Sequence, residues 1–235
     1  MPHNRVGRGG RQGGTGRQGG PRRLRRRLKR ALATPWIPTK SQLLAAQNKS
    51  IPDLIAKNLI VLFAGINPGL YTAAIGRHFG RPGNRFWPAL HGGGFTPRLF
   101  SPFENSLLLD LKFGITNIVE RATARADELT NDELRAGARR LLVKVNRWRP
   151  TVVAFVGIGP YRIISGIKDA RVGKQKVPFG GSTAWVLPNP SGLNAHYLPA
   201  ALAKHFGELR IWAIAEHRRR ENKHHMSQLR ARRPS

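Results

Sequence analysis

Two turns and one mixed aromatic segment carry the residues of this chain that could act on a ligand. The first turn runs from Gly65 to Leu70 with the sequence GINPGL. Its glycines allow a ligand to approach the backbone closely, and Pro68 stiffens the turn between them. Asn67 is its one polar side chain, and its amide oxygen could hold a water molecule, although an amide is a poor base. A structural turn in which Asn67 bonds to its own backbone is an alternative interpretation.

The mixed segment covers residues 79–87 with the sequence FGRPGNRFW. An aromatic ring that stacks on an unpaired base contributes about 1–3 kcal/mol. Phe79 stands beside Gly80 and is therefore the candidate for a ring that is available in a loop. We expect Phe86 and Trp87 to pack into the core at the start of a helix.

The second turn covers residues 189–197 with the sequence NPSGLNAHY. It is small and polar apart from Leu193 and the closing tyrosine. Many proteins that distort DNA insert an apolar wedge of this kind into the base stack. The turn is therefore interpreted as a segment that enters a duplex, with a helix-entry loop capped by Asn194 as the alternative.

Several common chemistries are excluded by the sequence. The GINPGL turn is not followed by the Gly-Lys-Ser/Thr of a phosphate loop, and Gly157-Ile158-Gly159 lacks the last glycine of the dinucleotide fingerprint. The chain has no cysteine, which rules out disulfides and cysteine-bound zinc. The histidines of the central region show no metal-ligand spacing, so we expect no metal site.

The two turns must be positioned by the elements around them, and the pattern of those elements is α/β. We expect four buried strands, at 59–64, 113–119, 151–157 and 183–188. We expect three longer helices, at 131–147, 161–167 and 196–216. The first of these helices is predicted to start at Asn131 as N-cap. Its predicted buried face consists of Leu134, Leu141, Leu142 and Val145.

This alternation predicts a short parallel sheet that is covered by helices on both faces. Ligands of such sheets bind at the carboxyl ends of the strands. Both turns directly follow predicted strands, so the pattern places them at that edge.

Charge is the strongest signal in the composition: 41 Lys and Arg against 12 Asp and Glu give a net charge of +29. Residues 1–34 hold 11 of the basic residues and no acid, and residues 217–235 hold seven and one. The region between them keeps 23 basic and 11 acidic residues, a net charge of +12. Because this region is basic in its own right, the charge favours a nucleic-acid partner over tails that only aid solubility.

Composition divides the chain into three parts. Residues 1–33 are predicted to be a basic, Gly/Arg-rich disordered tail, because residues 1–20 cannot bury enough apolar surface to fold. Within this tail, residues 21–33 are either a solvated charge run or a short basic helix that forms on an anionic surface. Residues 34–216 are predicted to form one domain, and residues 217–235 a basic C-terminal tail. The chain has no run of 18 apolar residues and no apolar signal region. We therefore expect no membrane association and a cytoplasmic location, associated with the nucleoid in a bacterium.

Four motifs resemble, in order, those of the mismatch-specific uracil-DNA glycosylases and the related thymine-DNA glycosylases. They are GINPGL, the stretch 81–87, GITNIVERAT and LPNPSGLNAHY, and the similarity runs from about Asn58 to Phe206. The resemblance implies a three-layer α/β/α sandwich with a short four-stranded parallel sheet, the uracil-DNA glycosylase fold. It also implies a monomer with neither a metal nor an organic cofactor.

The resemblance assigns roles to individual residues. Asn67 would be the catalytic residue that holds the attacking water. The residues implied in base binding are Gly65, Ile66, Gly69, Thr72, Phe79 and Asn117. The residues implied in contacts with DNA are Asn189, Ser191, Gly192, Leu193, Asn194, His196 and Tyr197. Ala195 stands where the family often has arginine, so its neighbours must carry more of the wedge, and Tyr71 replaces a commonly smaller residue at the mouth.

The implied function is that of a monofunctional DNA glycosylase in base excision repair. Such an enzyme flips uracil mispaired with guanine out of duplex DNA, with mispaired thymine and ethenocytosine as further candidates, and hydrolyses its N-glycosidic bond to leave an abasic site. No lysine occupies the Asn67 position, so strand cleavage is not expected. The competing class is a non-catalytic basic nucleic-acid-binding module, which would need neither the Asn67 loop nor the Leu193 turn.

Overall fold

One sheet of five strands organises the computed structural model, which describes residues 36–192 and 197–231. The strands are β1 Val61–Gly65, β2 Phe113–Asn117, β3 Val152–Val156, β4 Gly173–Lys174 and β5 Thr183–Leu187. Their order is β2-β1-β3-β5-β4, and the first four are parallel. The predicted α/β fold with a parallel sheet is confirmed. The two-residue β4 adds a fifth, antiparallel edge strand, which is too short to show a sequence pattern.

Seven α-helices connect and cover the strands in the described part of the chain. They are α1 Lys40–Leu44, α2 Leu70–Ile75, α3 Phe86–Gly92, α4 Leu107–Asp110, α5 Asn131–Trp148, α6 Ile158–Ser165 and α7 Pro199–Ala231. Two short 3-10 helices occupy Pro102–Glu104 and Ala126–Glu128. None of the described helices is long and apolar enough to cross a membrane.

The strands carry apolar side chains on both faces, because successive residues of a strand point to opposite sides. On one face, Leu62 and Phe155 pack in the same cluster as Leu141 of α5 and Tyr161 of α6. On the other face, Phe63 of β1 packs against aromatic rings of α3 and α7. The ring centroid of Phe63 lies 5.4 Å from that of Phe86 and 6.0 Å from that of Phe206. The sheet is therefore the middle layer of an α/β/α sandwich.

Strand register brings the ends of the parallel strands to a common edge. Gly65 pairs with Asn117 at the ends of β1 and β2, and Val156 pairs with Leu187 at the ends of β3 and β5. We call this side of the sheet the carboxyl edge, and the side where the parallel strands begin the amino edge.

Helix α5 differs in two details from its prediction. Its N-cap is Thr130 rather than Asn131, because Thr130 and Glu133 form a reciprocal capping box. Leu142 is 37 % exposed and does not belong to the buried face. The buried positions Leu134, Ala138, Leu141 and Val145 repeat at intervals of three and four residues, and position 142 is turned about 100° from position 141.

Helix α7 is longer than predicted: it starts at Pro199 and runs to Ala231. The chain contains no glycine or proline from residue 208 to 231, so nothing in the sequence stops the helix at Glu216. His217, the first residue of the predicted C-terminal tail, is only 8 % exposed and its Nδ1 lies 2.7 Å from Thr151 Oγ1. Residues 217–231 therefore continue the last helix. The predicted disordered tail at residues 1–33 lies outside the described residues.

Candidate active site

The loop after β1, residues 66–69, is held against the chain that leaves β2. Ile118 N–H donates to Gly65 O at 2.8 Å, and Val119 N–H donates to Ile66 O at 2.9 Å. Thr123 N–H donates to the carbonyl of Pro68 at 3.2 Å. We call residues 66–69 the Asn67 loop. Its backbone path is thus fixed by main-chain bonds to residues 118–123.

The side chain of Asn67 is fixed in one orientation. Its Nδ2 donates to the carbonyl of Arg121 at 3.0 Å and to Thr123 Oγ1 at 2.7 Å. A carbonyl can only accept, so the amide group that faces Arg121 O must be the NH2. Among the described residues none donates a hydrogen bond to Asn67 Oδ1, and the side chain is half-buried. The amide is therefore bonded to a neighbouring segment rather than to its own turn, and its oxygen is left to accept from a ligand or water.

Arg121 fixes the acceptor that orients Asn67. Its guanidinium holds both carboxylate oxygens of Glu133, at 2.5 and 3.1 Å, and donates to the carbonyl of Glu128 at 3.2 Å. The hydrogen bond from Arg121 is the main reason that the pKa of Glu133 falls to about 2. Because Glu133 also completes the N-terminal capping box of α5, the segment that holds Asn67 is tied to the start of that helix.

The sequence interpretation did not assign Arg121 or Thr123 any role. Both belong to the GITNIVERAT motif, and a run of polar side chains directly after a buried strand is the signal that could have drawn attention to them. Their contacts with Asn67 span more than fifty positions, so only the fold reveals the pairing.

Three of the predicted base-binding residues meet where β1 ends. A Cβ atom placed on Gly65 would lie 2.6 Å from Asn117 Oδ1 and 3.3 Å from Phe79 Cζ. Contacts shorter than 3.0 Å do not occur for real Cβ atoms, so only glycine fits here without a shift of its neighbours. The end of β1 therefore brings a backbone, an amide and an aromatic ring together at the carboxyl edge.

Phe79 is held in a tight turn with its ring half-buried. Its φ of 51° is left-handed, and its ring stacks on Phe86 with centroids 3.8 Å apart and an interplanar angle of 14°. Thr72 Oγ1 accepts from Gly80 N–H at 3.2 Å, and Trp87 Nε1 donates to His78 O at 3.3 Å. Thr72, which is buried, therefore positions the Phe79 turn.

The aromatic residues of this segment divide as the sequence predicts between core and loop. Phe86 and Trp87 are 0 % and 4 % exposed and belong to the core. Phe86 has a second role that the sequence did not show, since it covers one face of the Phe79 ring.

The turn after β5 starts beside the Asn67 loop. A Cβ placed on Gly157 would lie 3.6 Å from Ile66 Cδ1 and 3.9 Å from Asn189 Cβ, so both side chains lie close to this residue. Asn189 Oδ1 accepts from Ser191 N–H at 3.0 Å, which fixes the first bend of the turn. The predicted DNA contacts Leu193, Asn194 and His196, together with Ala195, lie outside the described residues.

Arg85 connects the two stems of that turn. Its Nη1 donates to Tyr197 O at 2.6 Å and its Nη2 donates to Ser191 O at 2.7 Å, while its own N–H donates to Pro190 O at 2.9 Å. Gly192 also approaches this segment closely, because a Cβ there would lie 2.6 Å from Gly83 O. The mixed aromatic segment thus holds the turn from both sides, a role that the sequence interpretation did not assign to Arg85.

Among the described residues, the Asn67 loop and the cluster at Gly65 offer hydrogen bonding and stacking. The Asn67 loop contains neither a carboxylate nor an imidazole. Its N–H groups at Ile66, Asn67 and Gly69 donate no hydrogen bond to other described residues. Within the described ranges, no three His, Asp or Glu side chains could share a metal ion. The arrangement suits a flat polar group that is bound by N–H donors and stacked on a ring, next to a water on Asn67 Oδ1.

Comparison with known proteins gives one family and a distant structural neighbour. Residues 52–215 match the model of the uracil DNA glycosylase superfamily, which is more than half of the chain. A similar solved structure is the solution NMR structure of a provisionally named uracil DNA glycosylase from Methanosarcina acetivorans. The two share 16 % sequence identity with a TM-score of 0.47, and the match covers 69 % of this chain and 98 % of that chain.

Proposed function

This chain belongs to the uracil DNA glycosylase superfamily, and we propose that it is a monofunctional glycosylase that removes uracil mispaired with guanine from duplex DNA. Membership of the superfamily supports a glycosylase that acts on uracil in DNA. The observation that carries the proposal for this site is the fixed amide of Asn67. Its oxygen is left to accept beside the cluster of Gly65, Asn117 and Phe79. Mispaired thymine and ethenocytosine are proposed as further substrates.

Breaking the N-glycosidic bond places positive charge on the sugar and negative charge on the departing base. The bonding electrons leave with the uracil, and backbone N–H groups that meet its oxygens stabilise that charge. The N–H groups of Ile66 and Gly69 are the proposed donors, since neither is bonded to another described residue. A water then adds to C1′ of the sugar, and its proton passes to the surrounding solvent.

Asn67 is proposed to hold the attacking water through Oδ1. An amide cannot remove a proton efficiently, so the water adds to a sugar that already carries most of its positive charge. This predicts a slow chemical step. Discrimination then depends largely on how cheaply a base leaves the stack, and a mispaired base leaves at lower cost than a paired one.

Phe79 and Phe86 are in contact, but we expect their substitutions to change different properties most. We expect Phe79→Ala to slow uracil excision about 5- to 150-fold, the equivalent of the 1–3 kcal/mol that a stacked base gains on an aromatic ring. We expect Phe86→Ala to cost about 3–5 kcal/mol of folding stability, because its ring is fully buried. Thermal melting and single-turnover excision are measured for both variants. A Phe79 variant with the normal rate would remove this residue from base binding.

Leu193 is proposed as the wedge that fills the space left by the flipped base, with both stems of its turn held by Arg85. We expect Leu193→Ala to slow excision from duplex DNA far more than from single strands, because a single strand has no vacated stack to fill. The measurement is the ratio of duplex to single-strand rates in both proteins. An unchanged ratio would transfer the wedge role to Asn194, His196 or Tyr197.

Preference for mispaired uracil is tested by a panel of duplexes with uracil opposite guanine or adenine and with thymine or ethenocytosine opposite guanine. The proposal predicts the fastest excision for uracil opposite guanine. Equal rates opposite guanine and adenine would contradict the mismatch preference while leaving the glycosylase activity in place. A non-catalytic nucleic-acid-binding module would bind all four duplexes in a salt-sensitive manner and release no base.

A further inference from the structure

Helix α7 crosses the whole sheet from the carboxyl edge to the amino edge. It begins two residues after Tyr197, whose carbonyl contacts Arg85. Farther along, the ring of Trp212 lies 5.8 Å from that of Trp185 in the middle of β5. His217 then bonds to Thr151, the residue that precedes β3. The direction of the helix is therefore fixed by contacts at both edges.

The helix passes the amino edge near residue 221 and continues beyond it. Glu221 lies 3.3 Å from Lys112, which directly precedes β2, and Arg220 Nη2 lies 3.5 Å from Thr183 Oγ1 at the start of β5. Residues 222–231 follow this crossing and are helical. At 1.5 Å per residue they extend about 15 Å past the sheet.

Four basic side chains collect where the helix leaves the sheet, and we call them the amino-edge surface: Arg149, Arg219, Arg220 and Lys223. Arg149 and Arg220 line one hollow together with Gly181 and Ser182, which precede β5. Arg219 and Lys223 lie about one turn apart on α7. All four remain accessible, with 59 % of the Arg219 side chain and 38 % of the Arg220 side chain exposed.

Glu216 holds two of these arginines in place. Its carboxylate accepts from Arg219 Nε at 2.7 Å and Nη2 at 2.8 Å, and from Arg220 Nε at 2.9 Å. The hydrogen bonds from Arg219 are the main cause that lowers the pKa of Glu216 to about 2. Of the four cations, Arg219 and Arg220 bond to this carboxylate. The nearby acid Glu221 is engaged by Lys112 and His217. The amino-edge surface therefore keeps a net positive charge, and Glu216 holds Arg219 and Arg220 in fixed orientations.

The amino-edge surface lies on the opposite side of the sheet from the Asn67 loop. The parallel strands have five residues each, so the two edges are about 17 Å apart. When DNA is bound at the carboxyl edge, the amino-edge surface faces away from that DNA. The partner of this surface must therefore be a different polyanion or a different segment of the same one.

We propose that the amino-edge surface binds the phosphate backbone of a second segment of duplex DNA while the carboxyl edge engages the substrate. The inference rests on the proposed function, because that function supplies the partner: a protein bound to one stretch of a long duplex meets other stretches of it at high local concentration. Exposed arginine and lysine side chains contact phosphates without reading sequence. Binding of the second segment is accordingly independent of sequence and of mismatches.

The test is a capture experiment with the full chain. A duplex with uracil opposite guanine is immobilised and saturated with protein that carries Asn67→Ala, which slows excision, and a labelled undamaged duplex is added. The triple substitution Arg149→Gln, Arg219→Gln and Lys223→Gln is then introduced, which keeps Arg220 to pair with Glu216. The matched control replaces three exposed basic residues elsewhere, Arg139, Lys168 and Arg171, by glutamine.

The proposal predicts that the amino-edge triple variant binds the second duplex with an affinity at least about tenfold lower. The slope of log affinity against log salt concentration should be shallower by about 2 to 3, because each phosphate contact contributes about 0.9 to that slope. The control variant captures normally, and Lys223→Gln alone gives an intermediate loss. Equal capture by the amino-edge and control variants overturns the proposal. In a competition assay, single-stranded or structured RNA could abolish capture at a far lower concentration than duplex DNA does. That result would assign the surface to RNA and would also overturn the proposal.

Excision by the amino-edge triple variant with Asn67 intact separates this proposal from the proposed function. On a short duplex with uracil opposite guanine, the rate at saturating protein is expected to equal that of the unchanged chain. A chain that captures the second duplex but excises no uracil would refute the glycosylase while leaving the second DNA surface standing. Normal excision without capture would refute only the second surface.

Discussion

Asn67→Ala is expected to lower the single-turnover rate of uracil excision by at least about a hundredfold, the size of effect seen when one fixed polar group is removed from a reaction centre. The hydrogen bonds from Asn67 Nδ2 to Arg121 O and Thr123 Oγ1 fix the position of the amide oxygen that holds the water. Alanine at position 67 removes that oxygen. Binding to a mismatched duplex should remain nearly unchanged, since alanine removes no phosphate contact.

A companion variant tests whether orientation of the amide matters in addition to its presence. Thr123→Val removes the hydroxyl that accepts from Asn67 at 2.7 Å and leaves the bond to Arg121 O. We expect an excision rate between those of the unchanged chain and Asn67→Ala. If Asn67→Ala itself keeps more than about a tenth of the rate, its amide is not the group that positions the water.

The second large effect is expected from one added methyl group at Gly65. In Gly65→Ala the new carbon would meet Asn117 Oδ1 at 2.6 Å and the Phe79 ring at 3.3 Å, so at least one predicted base-binding side chain must move. Overpacking of this kind costs about 1–3 kcal/mol. We expect excision to fall at least about tenfold, with binding to undamaged duplex unchanged, because the methyl group changes the base pocket and no phosphate contact.

Gly159→Ala is the matched control for this prediction. Gly159 is the second residue of α6, and a Cβ there would meet nothing within 4 Å. The variant should melt at or above the temperature of the unchanged chain and excise uracil normally, because alanine is favoured over glycine in a helix. Normal excision by Gly65→Ala would show that the flipped base does not depend on the close approach at this position.

Strands β1, β3 and β5 could be predicted from the sequence because each is a short, mostly apolar run that a glycine, proline or polar residue bounds, whereas β2, with the sequence FGITN, gives a weaker signal. The strand segments that precede Gly65 and Gly157 are buried on both faces, so the sequence shows an unbroken run of apolar residues there. Strand β4 has only two residues, and no periodicity can reveal it. The N-cap of α5 was misplaced by one residue because both Thr130 and Asn131 are good caps, and only the reciprocal bond with Glu133 selects Thr130.

The candidate site could be predicted only in part. Asn67 and Gly65 were identifiable because they are a lone polar side chain and a glycine in a turn after a strand. The orientation of Asn67 depends on Arg121 and Thr123, which are more than fifty residues away in the chain. Arg85 likewise contacts residues more than a hundred positions away. Contacts of this range follow from the order of the strands in the sheet, and local patterns do not contain them.

The most direct test of the proposed function is single-turnover incubation of the full chain with an end-labelled duplex that holds one uracil opposite guanine. Samples are divided, and half are treated with alkali before electrophoresis, which cleaves strands at abasic sites. We predict free uracil in solution, a shortened strand after alkali and an intact strand without it. A duplex that is bound by the protein but stays uncleaved after alkali and releases no uracil would contradict the glycosylase function and leave a basic nucleic-acid-binding module in its place.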